Sequence, residues 1–76
     1  MTATVAETPP ERHRSAAETH EEAARRHDEA AERWRQLGEN ERGELEKRNA
    51  AIERDAAELE RDRAAYLDRE TGDRER

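Results

Sequence analysis

The sequence predicts an all-α protein: an antiparallel two-helix hairpin, coiled-coil-like, that self-associates into a helical bundle. Three observations carry this. Ala, Glu, Arg and Leu, the strong helix formers, dominate a chain that is 47% charged. Apolar residues recur every seven positions, as they do along a coiled-coil seam. Gly38 and Gly43 fall mid-chain among capping residues, and inside an unbroken helix each would cost about 1 kcal/mol. One continuous coiled-coil helix is the alternative. In its favour, Ala17, Ala24, Ala31, Gly38, Leu45, Ile52, Leu59 and Tyr66 keep the seven-residue count straight through the glycines.

Residues 1–8 carry no pattern until their end and read as a flexible arm. Thr8-Pro9-Pro10-Glu11 is a helix start. Proline suits the first turn, where its missing N–H has no partner to lose, and Thr8 with Glu11 forms a capping box. Helix 1 then covers 9–37. His13, His20, His27 and Trp34 stand seven apart, interleaved with the doublets Ala16-Ala17, Ala23-Ala24 and Ala30-Ala31. Ala16, His20, Ala23, His27, Ala30, Trp34 and Leu37 follow steps of four and three, an a/d seam over three heptads. So narrow a seam lets another helix approach near the short end of the roughly 8–10 Å packing range.

The turn is placed at 38–40, with Gly38 in the position of a C′ glycine and Asn40 as the next N-cap. Helix 2 covers 41–70 and carries Leu45, Ile52, Leu59 and Tyr66 every seven residues, with Asn49, Ala56 and Arg63 between them. Thr71-Gly72 closes it and 71–76 is a charged tail. The companion row lies three residues after the doublets in helix 1 and four after Leu45 and its successors in helix 2. That shift favours the hairpin. In it, the alanine face of helix 1 is expected to meet the Leu/Ile face of helix 2, small against large, and two hairpins would complete a four-helix bundle.

Composition limits what such a chain can do. Of its 76 residues, 14 are Ala, and the large apolar side chains are Met1, Val5, Trp34, Leu37, Leu45, Ile52, Leu59, Tyr66 and Leu67. With no Cys there is neither a disulfide nor a thiolate metal site. Small domains with so few core residues are commonly rescued by association, most simply as a dimer. The net charge of −6 is spread over interleaved signs, including Glu21/Arg25, Glu22/Arg26, Glu29/Arg33 and Glu44/Arg48 at i,i+4. No basic stripe offers itself to nucleic acid, and no apolar run is long enough for a membrane span or signal peptide, so a cytoplasmic location is expected.

Trp34-Arg35-Gln36-Leu37-Gly38, with Ala50 and Ala57, resembles part of a tetratricopeptide repeat. The resemblance covers five positions of that pattern. It implies a repeat unit with Gly38 inside a helix and a turn near Leu45-Glu46-Lys47. This chain has Glu41, Arg54 and Asp62 where the pattern prefers Tyr, a large aromatic and Pro, and one incomplete repeat has nothing to stack on. No binding residue is carried over.

The histidines are the chemical candidates. Seven residues of helix span about 10.5 Å, so one ion cannot bridge two of them within one helix at Zn–N distances of about 2.0–2.1 Å. No metal or cofactor is predicted. His13, His20 and His27 could share a metal only in an oligomer. Charging seam histidines near pH 6.5 would weaken or re-register association. Nothing supports catalysis: there is one serine, Ser15, no Gly-rich phosphate loop, and no apolar pocket to shift a carboxylate. The expected function is a non-catalytic protein–protein interaction module, such as a scaffold, adaptor or regulatory subunit. It would act through the helix 1 seam together with Leu45, Ile52, Ala56, Leu59 and Tyr66. Its partner would be a second copy or another protein. Alternatives are a pH- or metal-responsive sensor and a small inhibitor or antitoxin-like protein that folds on its partner.

Overall fold

The computed structural model describes residues 7–74, with side chains through residue 72. Most of the expected N-terminal arm and the end of the charged tail lie outside that range. Two helices pack against each other as an antiparallel hairpin: α1, Pro9–Gln36, and α2, Asn40–Arg74. The alternative of one continuous rod is thereby excluded.

Each boundary has a local cause. The Thr8 hydroxyl accepts the Glu11 N–H at 3.3 Å, and the Glu11 carboxylate accepts the Thr8 N–H at 3.3 Å. This is the reciprocal capping box, with proline in the first turn. At the other end Gly38 has φ +80°, a left-handed conformation that costs an L-residue roughly 1–2 kcal/mol. The Gly38 N–H reaches the Arg35 carbonyl at 3.0 Å and the Glu39 N–H reaches the Trp34 carbonyl at 2.8 Å. Together these bonds make a Schellman motif that satisfies the last carbonyls of α1. Asn40 is the first residue of α2 rather than its cap, and the Glu39 carbonyl receives the Gly43 N–H at 3.0 Å. Thr71 and Gly72 continue the helix, with the Thr71 hydroxyl bonded to the Leu67 carbonyl at 3.0 Å. The tetratricopeptide-like geometry is absent: Gly38 is in the turn, and residues 45–47 are in mid-helix.

The core between the helices contains no large side chain. Its buried residues are Ala17, Ala24 and Ala31 from α1 facing Gly43, Ala50, Ala57 and Ala64 from α2. The expected packing of alanine against Leu/Ile is therefore corrected to small against small. Gly43 is where the approach is tightest. A Cβ there would stand 3.1 Å from the Ala31 carbonyl oxygen and 2.9 Å from Arg35 Cγ. The residue that looked like a helix breaker is the continuation of the alanine row.

The two remaining glycines should respond oppositely to a methyl group. Gly38→Ala should destabilise by about 1 kcal/mol because its backbone is left-handed, although the space is open. Gly72→Ala, helical and also in open space, should stabilise by up to about 1 kcal/mol. Chemical denaturation followed by circular dichroism measures both, and equal signs would contradict the assigned backbone at Gly38.

Candidate functional site

Packing at the alanine rows brings two further heptad rows into register on one side of the hairpin. His13 Nδ1 lies 2.5 Å from a Glu60 carboxylate oxygen, His20 Nδ1 2.6 Å from Glu53, and His27 Nδ1 2.6 Å from Glu46. As the α1 number rises by seven the α2 number falls by seven, the signature of antiparallel helices. A carboxylate offers only acceptors, so each Nδ1 carries the hydrogen and donates it. These pairs are partly buried, and three or four residues away on α1 His20 and His27 have only alanines. The ladder's fourth position on α1 is Trp34. There the partner is Arg42, whose guanidinium lies 4.7 Å from the indole centroid, a cation–π contact spanning the turn.

The opposite side carries a second ladder, of permanent charges. Arg14 meets Asp68 at 2.9 Å, Arg61 meets Glu21, and Arg54 meets Asp28. Glu21 thus reaches across to α2, where the sequence had suggested Arg25 of its own helix. The hydrogen bond from Arg54 holds the Asp28 carboxyl below its usual range and pushes the Arg54 guanidinium higher. On the first ladder, the hydrogen bond from His13 lowers the Glu60 carboxyl, and Arg63, 2.7 Å away, adds to it. Exposed pairs of this kind are screened by solvent and individually contribute little. Their repetition every seven residues fixes which faces of the helices meet, while the short turn between Gln36 and Asn40 sets the register.

At about 100° per residue, the first residue of each α1 doublet, Ala16, Ala23 and Ala30, turns to the outer flank of the His–Glu side. So does Leu37 at the end of α1. Leu45, Ile52 and Leu59 each precede a ladder glutamate, and the same rotation places them on the outer flank of α2. Tyr66 shares a concavity with His13 and Arg63, and its hydroxyl, donating to Glu70 at 2.9 Å, is raised above the usual phenol range. The residues read from the sequence as one seam thus lie outside the contact between the helices, the α1 members beside the His–Glu ladder and Leu45, Ile52 and Leu59 turned away from α1. Ala16, His20, Ala23, His27, Ala30, Trp34 and Ala56 are half-buried. Leu37 is 72% exposed, Ile52 64%, Tyr66 54%, Leu45 51% and Leu59 49%. The outermost row of α1, by contrast, is polar: Arg12, Thr19, Arg26 and Arg33.

The α2 rows that hold the hairpin together were not singled out from the sequence. Gly43, Ala50, Ala57 and Ala64 recur every seven residues, and Glu46, Glu53 and Glu60 do so three positions later. This repeats the relation of Ala17, Ala24 and Ala31 to His20, His27 and Trp34 in α1, and that repetition was the available signal. Among the described residues no group of three or more His, Asp or Glu side chains converges as a metal site, and no helix is long and apolar enough to cross a membrane. No protein-family model matches the chain, and neither does any curated protein or solved structure.

Two substitutions separate the buried row from the exposed one. Ala24→Leu should cost about 1–3 kcal/mol by forcing the helices apart. Arg26→Leu, on the exposed outermost row of α1, should stay within about 0.5 kcal/mol of the parent. Urea midpoints decide, and equal costs would refute the assignment of rows. For Glu60 the sign follows from its lowered carboxyl. The stability it contributes is present above the ordinary glutamate range and is lost as pH falls through its depressed folded value. Carboxyl carbon shifts followed by NMR should titrate below that range, and a midpoint at or above it would contradict the His13 contact.

Proposed function

We propose that this chain is a non-catalytic protein–protein interaction module whose working surface is the His–Glu side of the hairpin, and that its first partner is a second copy. The observation that carries the reading is an inversion of the usual burial. The core uses only small residues, while Leu37, Leu45, Ile52, Leu59 and Tyr66 remain about half exposed or more. A buried methyl-sized group is worth only about 0.8 kcal/mol, whereas burying a whole Leu or Ile side chain contributes roughly 1.5–3 kcal/mol. Most of the chain's hydrophobic free energy is therefore available to association and not to the hairpin itself.

The face also suits its own copy. Leu59, Ile52 and Leu45 lie at the levels of His13, His20 and His27, because each adjoins a ladder glutamate. Ala16, Ala23 and Ala30 occupy the same stretch of α1. A two-fold axis parallel to the helices would set the alanine flank of one copy against the Leu/Ile flank of the other. Large side chains would then enter the spaces left by small ones, twice per dimer, giving a four-helix bundle of antiparallel neighbours.

Sedimentation equilibrium tests this directly. The parent chain should sediment as a dimer. Ile52→Glu combined with Leu59→Glu should weaken dimerisation by at least about 100-fold while leaving the helical circular dichroism signal of the hairpin in place. A monomeric parent, or a double variant with undiminished dimerisation, would defeat the proposal.

A further inference from the structure

We propose that the His–Glu ladder is a pH-sensitive clasp whose inter-helix pairs strengthen when His13, His20 and His27 take up protons. The inference concerns the hairpin itself and holds whether or not the chain dimerises. Its direction is opposite to what histidines on a helix seam suggest by themselves. Histidines crowded only by apolar surface or by one another repel when charged. Here each ring already faces one carboxylate at 2.5–2.6 Å from the other helix. Protonation converts a neutral imidazole beside a bare carboxylate into an ion pair with a charge-assisted hydrogen bond, roughly twice as strong as a neutral one.

The surroundings leave little else to compete. On α1, the residues three and four positions from His20 are Ala16, Ala17, Ala23 and Ala24, and on α2 those around Glu53 are Asn49, Ala50, Ala56 and Ala57. His27 faces Glu46, with Arg42 a turn away over Trp34. Its neighbour Asp28 is engaged by Arg54 on the opposite side, near Lys47. His13 faces Glu60, which is also held by Arg63, with Asp62 lining the same concavity. His20–Glu53 is thus the pair freest of third charges. Histidine is the side chain whose ordinary proton exchange, around pH 6.5, falls within the physiological range, whereas the Arg–carboxylate ladder on the other side keeps its charges there. One side of the hairpin responds to pH and the other does not. The change also alters the apolar face. With neutral rings the ladder presents Glu46 and Glu53 as unpaired carboxylates between the Ala and Leu/Ile flanks, Glu60 being also held by Arg63, and with protonated rings it presents three His–Glu ion pairs.

A double-mutant cycle isolates the pair from the chain's overall charge. His20→Gln, Glu53→Gln and the double variant keep helix propensity and hydrogen-bonding capacity, and unfolding by urea is read at pH 5.8 and pH 8.0. At pH 5.8, E53Q should lower the folded-to-unfolded ratio about two- to fivefold more in the parent than in the H20Q background, the range expected of a partly exposed pair. At pH 8.0 that excess should fall by at least half. The cycle of His27→Gln with Glu46→Gln should give the same sign, and it serves if a position-53 variant does not fold. Coupling that is equal at the two pH values, or larger at pH 8.0, in either cycle overturns the clasp.

Discussion

Everything in this hairpin depends on how closely its two helices can approach. The contact is made by Ala17, Ala24 and Ala31 against Gly43, Ala50, Ala57 and Ala64, with no larger side chain buried anywhere among the described residues. A methyl group supplies little hydrophobic free energy but also little separation. At short range the flanking side chains of the two helices can meet directly, and short residues such as Asp28 and Asp68 can span to arginines of the other helix. Replacing alanine by leucine along these rows would add apolar area and, by spreading the helices, remove the contacts on both sides.

The two sides so created are chemically unlike. One pairs arginine with carboxylates, charges that persist through the neutral range. The other pairs histidine with glutamate and is flanked by alanine on α1 and by Leu45, Ile52 and Leu59 on α2. Because the interface itself needs only small residues, the large apolar side chains are left to a surface. A helix that buries one face normally turns its polar face outward; α1 does so and α2 does not. That asymmetry gives the molecule one face suited to association and one suited to water.

Much of the local structure was legible in the sequence. The Thr8–Glu11 capping box, the start at Pro9 and the break at Gly38 all appear where the residue types place them, because caps and turns depend on a few neighbouring backbone groups. The facing of the helices was legible only in part. Counting by sevens from Ala17 to Tyr66 suggested a single continuing row, but the count crosses a turn. Gly38 turns the chain, and the buried row of α2 begins afresh at Gly43, so Leu45 and its successors point outward. Hydrophobic size was the misleading cue: a Leu/Ile row was expected inside, although alanine and glycine fit the approach better.

By itself, then, the sequence determined that this chain is helical, where it turns, and that it has too few large apolar residues to form a conventional core. Those properties follow from propensity, capping and composition, which act within a few residues of each position. Which row is buried, and what each histidine faces, was decided only by the tertiary structure. Antiparallel pairing brings residues 19 to 47 positions apart into contact. No local rule says whether a histidine there will meet another histidine, a metal or a carboxylate. It meets a carboxylate in all three cases, and this turns a row that sequence reading would expect to repel on protonation into one that attracts.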